Sequence, residues 1–156
     1  MNNNVRDSLV YLQVMNGLYT RVKIPGLETL KSNPAMRNVA VNKARLTLPV
    51  LYDGSIYKAS TIPSQILVRY KDADGEKFYV PDLVKGADYF NGTPDTSKNV
   101  YSVNLALYVQ TYLRDTENKY KPELELYLLP SASNNAILKA NGKLKQFKFD
   151  FTYTSF

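Results

Sequence analysis

The 156-residue sequence predicts an all-β fold, an antiparallel β-sandwich of jelly-roll-like plan with one or two short helices. Three observations predict it. Apolar and polar residues alternate along several runs, most clearly from Val39 to Val50, where Ala44, Leu46, Leu48 and Val50 share one face and Lys43, Arg45 and Thr47 the other. Thirteen tyrosines stand against no tryptophan, and a tyrosine suits a half-buried pleated surface, ring in the core and hydroxyl at the rim. Turn dipeptides punctuate these runs closely enough for roughly eight to ten strands. One stretch organises the rest: VYSVNLALYVQTYL, Val100 to Leu113, begins in near-alternation and changes near Leu105 to a helical spacing that puts Ala106, Val109, Gln110 and Leu113 on one face. It carries too little charge for the surface, so the chain must wrap apolar faces around this strand-to-helix corner.

In chain order, Met1 to Asp7 reads as a solvated, disordered tail and residues 8–156 as one domain, with no Pro- or Gly-rich linker to divide it. SLVYLQVM from Ser8 reads as a strand, and Asn16-Gly17 as a turn into LYTRVKIP, giving a hairpin or a bulged continuation. Pro25-Gly26 ends that strand, and Leu27 to Ser32 reads as a helical turn with Leu27 and Leu30 inward, closed by Asn33-Pro34. Tyr52 to Pro63 reads as a long loop. Gln65 to Tyr70 and Lys77 to Val80 flank Asp72-Ala-Asp-Gly75, a strong hairpin signal because a tight turn needs the positive φ that Asp-Gly tolerates. Pro81 to Asn99 reads as a second long irregular stretch. After a charged loop from Arg114 to Pro122, ELELYLLP places Leu124, Leu126 and Leu128 inward, with Glu123 and Glu125 on the wet face as ordinary surface acids. A turn-rich loop, a short AILKA strand and QFKFDFTYT close the chain, with Phe147, Phe149, Phe151 and Tyr153 on one side.

Composition excludes several chemistries. Cysteine and histidine are both absent, which removes thiol chemistry, disulfides, Ser-His-Asp and Cys-His arrangements and the usual zinc sites. The net charge of +6 is spread along the chain. Its densest group, Lys139, Lys143, Lys145 and Lys148, reads as a solubilising face and protected strand edge, not a nucleic-acid surface. No apolar run is long enough to span a bilayer, and MNNNVRD lacks the basic start and apolar centre of a secretion signal. Two alternatives follow: a cytoplasmic protein, or one cut from a longer precursor.

Ser55-Ile-Tyr-Lys58 has the Ser-x-x-Lys spacing but sits in a loop without its companion elements. Asp72, Asp74 and Glu76 crowd one hairpin, yet turn chemistry accounts for the aspartates and the last ligand of a calcium loop is missing, so neither metal nor cofactor is expected. A carboxylate hydrolase would need a facing pair about 5 to 9 Å apart in a cleft, drawn from Asp53, Asp82, Asp88 and Asp95 in the long loops. Catalysis is not indicated. The better candidates for binding are the loop aromatics Tyr52, Tyr57, Tyr89 and Phe90, with Asp53 and Asn91 as neighbouring hydrogen-bonding groups, because an exposed ring offers a flat apolar face to a sugar or a partner side chain. The competing reading folds these rings back as a cap over the sheet ends. Asn91-Gly-Thr93 is a sequon with meaning only in a eukaryotic secretory context.

YLQVMNGLYTRVKIPGL, VNKARLTLPV, VYSVNLALYVQTYL and FKFDFTYT together resemble the C-terminal part of the uncharacterised exported lipoproteins of Bacteroidota, domain-of-unknown-function family 4270. The resemblance runs from about Tyr11 to the end, and its most specific pieces are Tyr-Leu-Gln at Tyr11 to Gln13, Asn-Lys-Ala at Asn42 to Ala44 and the Asn-x-x-x-Tyr-Val-Gln junction at Asn104 to Gln110. It implies a cell-envelope protein, outer-membrane or surface-exposed, made with a signal peptide and a lipid-modified cysteine that this sequence lacks, so that Met1 would mark an excision. The loop Tyr52 to Ser64 departs from the family pattern, and no functional residue transfers. The strand plan is also similar to jelly-roll modules found beside carbohydrate-active enzymes. The expectation is therefore a non-catalytic module of a cell-surface lipoprotein that binds glycan through its loop end, or alternatively a structural domain that pairs with another envelope protein.

Overall fold

A computed structural model describes residues 9–13, 19–51, 62–129, 135–139 (backbone only) and 146–156. The expected tail, the Asn16-Gly17 turn, the Ser55–Lys58 spacing, Lys143 and Lys145 lie outside the described residues. Within them the chain runs β1 (Leu9–Gln13), β2 (Thr20–Lys23), α1 (Leu27–Ser32), a 3-10 turn (Pro34–Asn38), β3 (Val39–Pro49), β4 (Ile66–Asp72), β5 (Lys77–Tyr79), α2 (Pro81–Lys85) and α3 (Ala87–Phe90). It continues through β6 (Asn91–Asp95), β7 (Val100–Asn104), α4 (Ala106–Arg114), β8 (Tyr120–Leu128), β9 (Asn135–Lys139) and β10 (Lys148–Ser155).

These strands make an antiparallel β-sandwich. One four-stranded sheet has the order β10-β3-β7-β6, the other β2-β8-β4-β5, and β1 pairs with β9 beside them. The period-two stripes read from the sequence meet between the sheets. Ala44, Leu46 and Leu48 of β3 with Tyr101 and Val103 of β7 belong to one buried cluster with Ile66 and Val68 of β4 and Leu124, Leu126 and Leu128 of β8. Burying such side chains contributes about 1.5–3 kcal/mol each, so this shared face supplies most of the driving force for folding.

Three expectations are corrected. The runs on either side of Asn16-Gly17 are not hairpin partners, because β1 pairs with β9 and β2 with β8. Helix content exceeds one or two elements, since Pro81 to Asn99 holds α2, α3 and β6. The helices there are too short for a periodic signal; Pro81 occupies a first-turn position of α2, and Gly86, at φ 146°, separates the two. The charged loop is shorter than expected, because β8 begins at Tyr120.

The strand-to-helix corner lies where the sequence puts it. β7 pairs with β3 only from Arg45 to Pro49, and the chain then turns into α4, which leaves the other end of β3 without a strand on that side. Gln110 fills the place: the Val41 N–H donates to its Oε1 at 2.8 Å and its Nε2 donates to the Val39 carbonyl at 3.0 Å. A side-chain amide thus stands in for a missing peptide.

The first turn of α4 needs acceptors for its free N–H groups, and its own cap residue, Leu105, has none to offer. The carboxylate of Asp82 on α2 supplies them, accepting from Leu107 N at 2.9 Å and Tyr108 N at 2.8 Å. Asp82 is fully buried. Burial pushes its pKa up, and the bonds from Leu107 and Tyr108 only partly offset this. Asp82→Ala is predicted to cost about 1–3 kcal/mol in urea unfolding. Asp82→Asn, which keeps an acceptor, should cost distinctly less; equal losses would contradict the capping role.

Candidate functional site

Of the sequence candidates, Tyr52, Asp53 and Tyr57 lie outside the described residues. The other three sit at the α3–β6 junction and do not present one aromatic surface. Phe90 is 0% exposed, part of the core and unable to offer its ring. Tyr89 is half-buried with Lys85 Nζ 4.2 Å from its ring centre. Asn91 is exposed at φ 68° and its Oδ1 accepts from the Thr93 hydroxyl. Gly92 leaves room for the inward Phe90 ring, since a Cβ there would lie 2.6 Å from the Ile66 carbonyl and 2.7 Å from the ring itself.

The described loop aspartates have separate roles. Asp82 caps α4, Asp88 is exposed, and Asp95 accepts from the backbone and hydroxyl of Ser97 in a turn. Within the β4–β5 hairpin, Asp72 Oδ1 accepts from the Glu76 N–H at 2.8 Å.

A denser cluster lies on the outward face of the β2-β8-β4-β5 sheet. Alternation sends Leu124 and Leu126 inward and therefore Glu123, Glu125 and Tyr127 outward. Register then sets Glu125 between Arg21 of β2 and Arg69 of β4, with Tyr79 of β5 opposite Arg69 on the far side. Arg69 Nε lies 2.6 Å and Lys77 Nζ 3.3 Å from Glu125 Oε2, and Lys71 Nζ lies 3.7 Å from Oε1. Arg21 Nε reaches Glu123 at 3.3 Å.

Aromatic rings frame these charges. The Arg69 guanidinium lies 4.8 Å from the Tyr127 ring centre and 5.5 Å from that of Tyr19, and Lys77 Nζ sits 4.8 Å from Tyr19. Tyr79 stacks beside Tyr127 with ring centres 6.2 Å apart, and Tyr79 is 52% exposed. Such contacts pre-order long cationic side chains that would otherwise be mobile.

The expectation that Glu125 is an ordinary surface acid is corrected. It is 2% exposed, because the arginine, the lysines and the rings close over it. Burial alone would raise its pKa, but the bonds from Arg69 and Lys77 outweigh burial and the net shift is downward. The group is a fixed anion at neutral pH, with no proton to give as a general acid. Burial also raises Tyr127, with Tyr79 adding to the effect, while the bond to Arg21 lowers Tyr19.

The helix corner positions this face. The Tyr108 hydroxyl donates to the Lys121 carbonyl, and Asp115, paired with Lys31 at 3.1 Å, accepts from the Tyr120 N–H at 2.9 Å. Both bonds fix the start of β8, just where its pairing with β4 is irregular between Tyr70 and Asp72. The signal in the sequence was Arg69-x-Lys71 and Glu123-x-Glu125 on separate strands, and only the register joins them.

No family model, curated protein or solved structure matches the chain.

Because the folded pKa of Glu125 is lowered, the stability it contributes is present above the unfolded carboxylate value, about 4, and is lost as pH falls through the folded value. Urea unfolding of the wild-type protein should therefore weaken between neutral pH and pH of about 3, and Glu125→Gln should flatten that dependence. An unchanged pH slope in the variant would contradict the pairing.

Proposed function

We propose that the chain is a non-catalytic β-sandwich module of a cell-surface lipoprotein and that it binds glycan through the outer face of the β2-β8-β4-β5 sheet. The observation that carries this reading is the gathering of the Tyr19, Tyr127 and Tyr79 rings on that face, with Arg69 against both Tyr19 and Tyr127 and with Arg21 and Lys77 against Tyr19. A pyranose presents an apolar face and a rim of hydroxyls, so it fits a ring flanked by fixed polar groups. Glu125, held ionised, supports binding over acid catalysis. The envelope location comes from the likeness of segments such as VYSVNLALYVQTYL to exported Bacteroidota lipoproteins. Among the described loop candidates Phe90 is in the core, so the described rings that can meet a ligand are those of the sheet face.

A second reading, a structural domain that pairs with another envelope protein, draws on β10. This eight-residue strand lies at a sheet edge and pairs only with β3 among the described residues. Such an edge can accept a further strand.

Calorimetry against a glycan panel tests the first reading, with light scattering across concentration for the second. Tyr79→Ala and Tyr127→Ala should each weaken glycan binding by about tenfold, a loss of roughly 1.4 kcal/mol, while Tyr89→Ala leaves it unchanged. Binding insensitive to both sheet tyrosines would reject the face, and concentration-dependent self-association without glycan binding would favour the second reading.

A further inference from the structure

Where β8 and β4 lose register, between Tyr70 and Asp72, β8 carries extra residues including Pro122, which has no N–H to give to a ladder. Such irregularities bend a strand and re-aim its side chains. Here the result is a cavity of about 200 Å³ lined by Lys71, Lys121, Glu123 and Glu125. Its volume is below the range of about 300–1,000 Å³ for sites that hold drug-sized ligands, which suits one sugar ring.

The chemistry of this pocket is uneven. Glu125 Oε1 is buried and has no hydrogen-bond partner among the described residues. Lys71, at 3.7 Å, supplies charge but is too far for a hydrogen bond. An unmet carboxylate oxygen is costly, so it marks a place for a donor. Both carboxylates are already engaged from the other side, Glu123 by Arg21 and Glu125 Oε2 by Arg69 and Lys77. The Lys121 ammonium has no ion pair among the described residues, and with Lys71 it forms the cationic part of the lining.

We infer that this pocket takes the acidic residue of a saccharide, a uronic acid whose carboxylate lies against Lys71 and Lys121 and whose hydroxyl donates to Glu125 Oε1. The inference rests on the glycan-binding reading above and names the class of sugar. A neutral sugar would leave the Lys121 ammonium unanswered and Lys71 with only its long contact to Glu125. A bare inorganic anion would meet the carboxylates of Glu123 and Glu125 with no donor to offer them. A uronic acid carries both functions on one ring, and the rings of Tyr127 and Tyr79 lie on the same sheet face to receive the next residue of the chain.

The test is calorimetry on the full chain with a galacturonic acid trisaccharide, a galactose trisaccharide and sulfate. The acidic trisaccharide should bind at least about tenfold tighter than the neutral one, because its carboxylate adds charge-assisted hydrogen bonds. Lys121→Ala should remove that preference by weakening the acidic trisaccharide about tenfold. Lys121 is exposed and gives only its backbone carbonyl to Tyr108, so the substitution leaves the fold intact. Equal affinity for both trisaccharides, unchanged by Lys121→Ala, would overturn the pocket and leave the glycan-binding face standing. Sulfate binding as tightly as the acidic trisaccharide would also overturn it. No binding of either saccharide, with Tyr79→Ala silent as well, would overturn the glycan reading and this inference with it.

Discussion

The carboxylate of Asp82, closing the first turn of a neighbouring helix, is the contact on which the architecture turns. It lets α4 begin inside the protein, where its free N–H groups could not reach water. From there α4 works in two directions. Gln110 completes the side of β3 that β7 leaves open in one sheet, and Tyr108 and Asp115 fix the first residues of β8 in the other. The two sheets are thus tied through one short helix, whose Tyr108 and Gln110 side chains bond to backbone on either side.

This accounts physically for the Asn-x-x-x-Tyr-Val-Gln junction. Asn104 accepts from the Ala106 N–H and donates to the Tyr89 carbonyl, which turns the strand into the helix. Tyr108 spans the core to β8, Val109 is buried, and Gln110 repairs β3. Each polar residue of the segment makes a bond that a residue of different length could not make. The pattern describes a structural joint, which delivers β8 to the surface.

Much of the fold was legible in the sequence, because a half-buried strand writes its two faces as alternation. β3, β8, the Asp-Gly hairpin and the β7–α4 corner follow that rule. Two kinds of information were not legible. Alternation does not say which strand lies beside which, so β1 and β2 read as a hairpin or a bulged continuation although they belong to different sheets. Nor does it reveal that an outward residue is covered by long neighbours, so Glu125 looked like a solvated acid. The candidate site shared that fate: Phe90 is adjacent to exposed residues in the chain but packs inward, while Tyr19, Tyr79 and Tyr127 are gathered only by pairing between strands far apart in sequence. Asp82 was seen as a loop acid because its partners, Leu107 and Tyr108, are remote along the chain.

The central claim is that one buried corner holds both the core and the outer face of the second sheet, and hydrogen exchange on Tyr108→Phe tests it most directly. The ring still fills the core and only the bond to the Lys121 carbonyl is removed. Protection should fall from Tyr120 to Glu125 while the β3–β7 ladder keeps its slow exchange. Unchanged protection at the start of β8 would contradict the claim, as would uniform loss through both sheets.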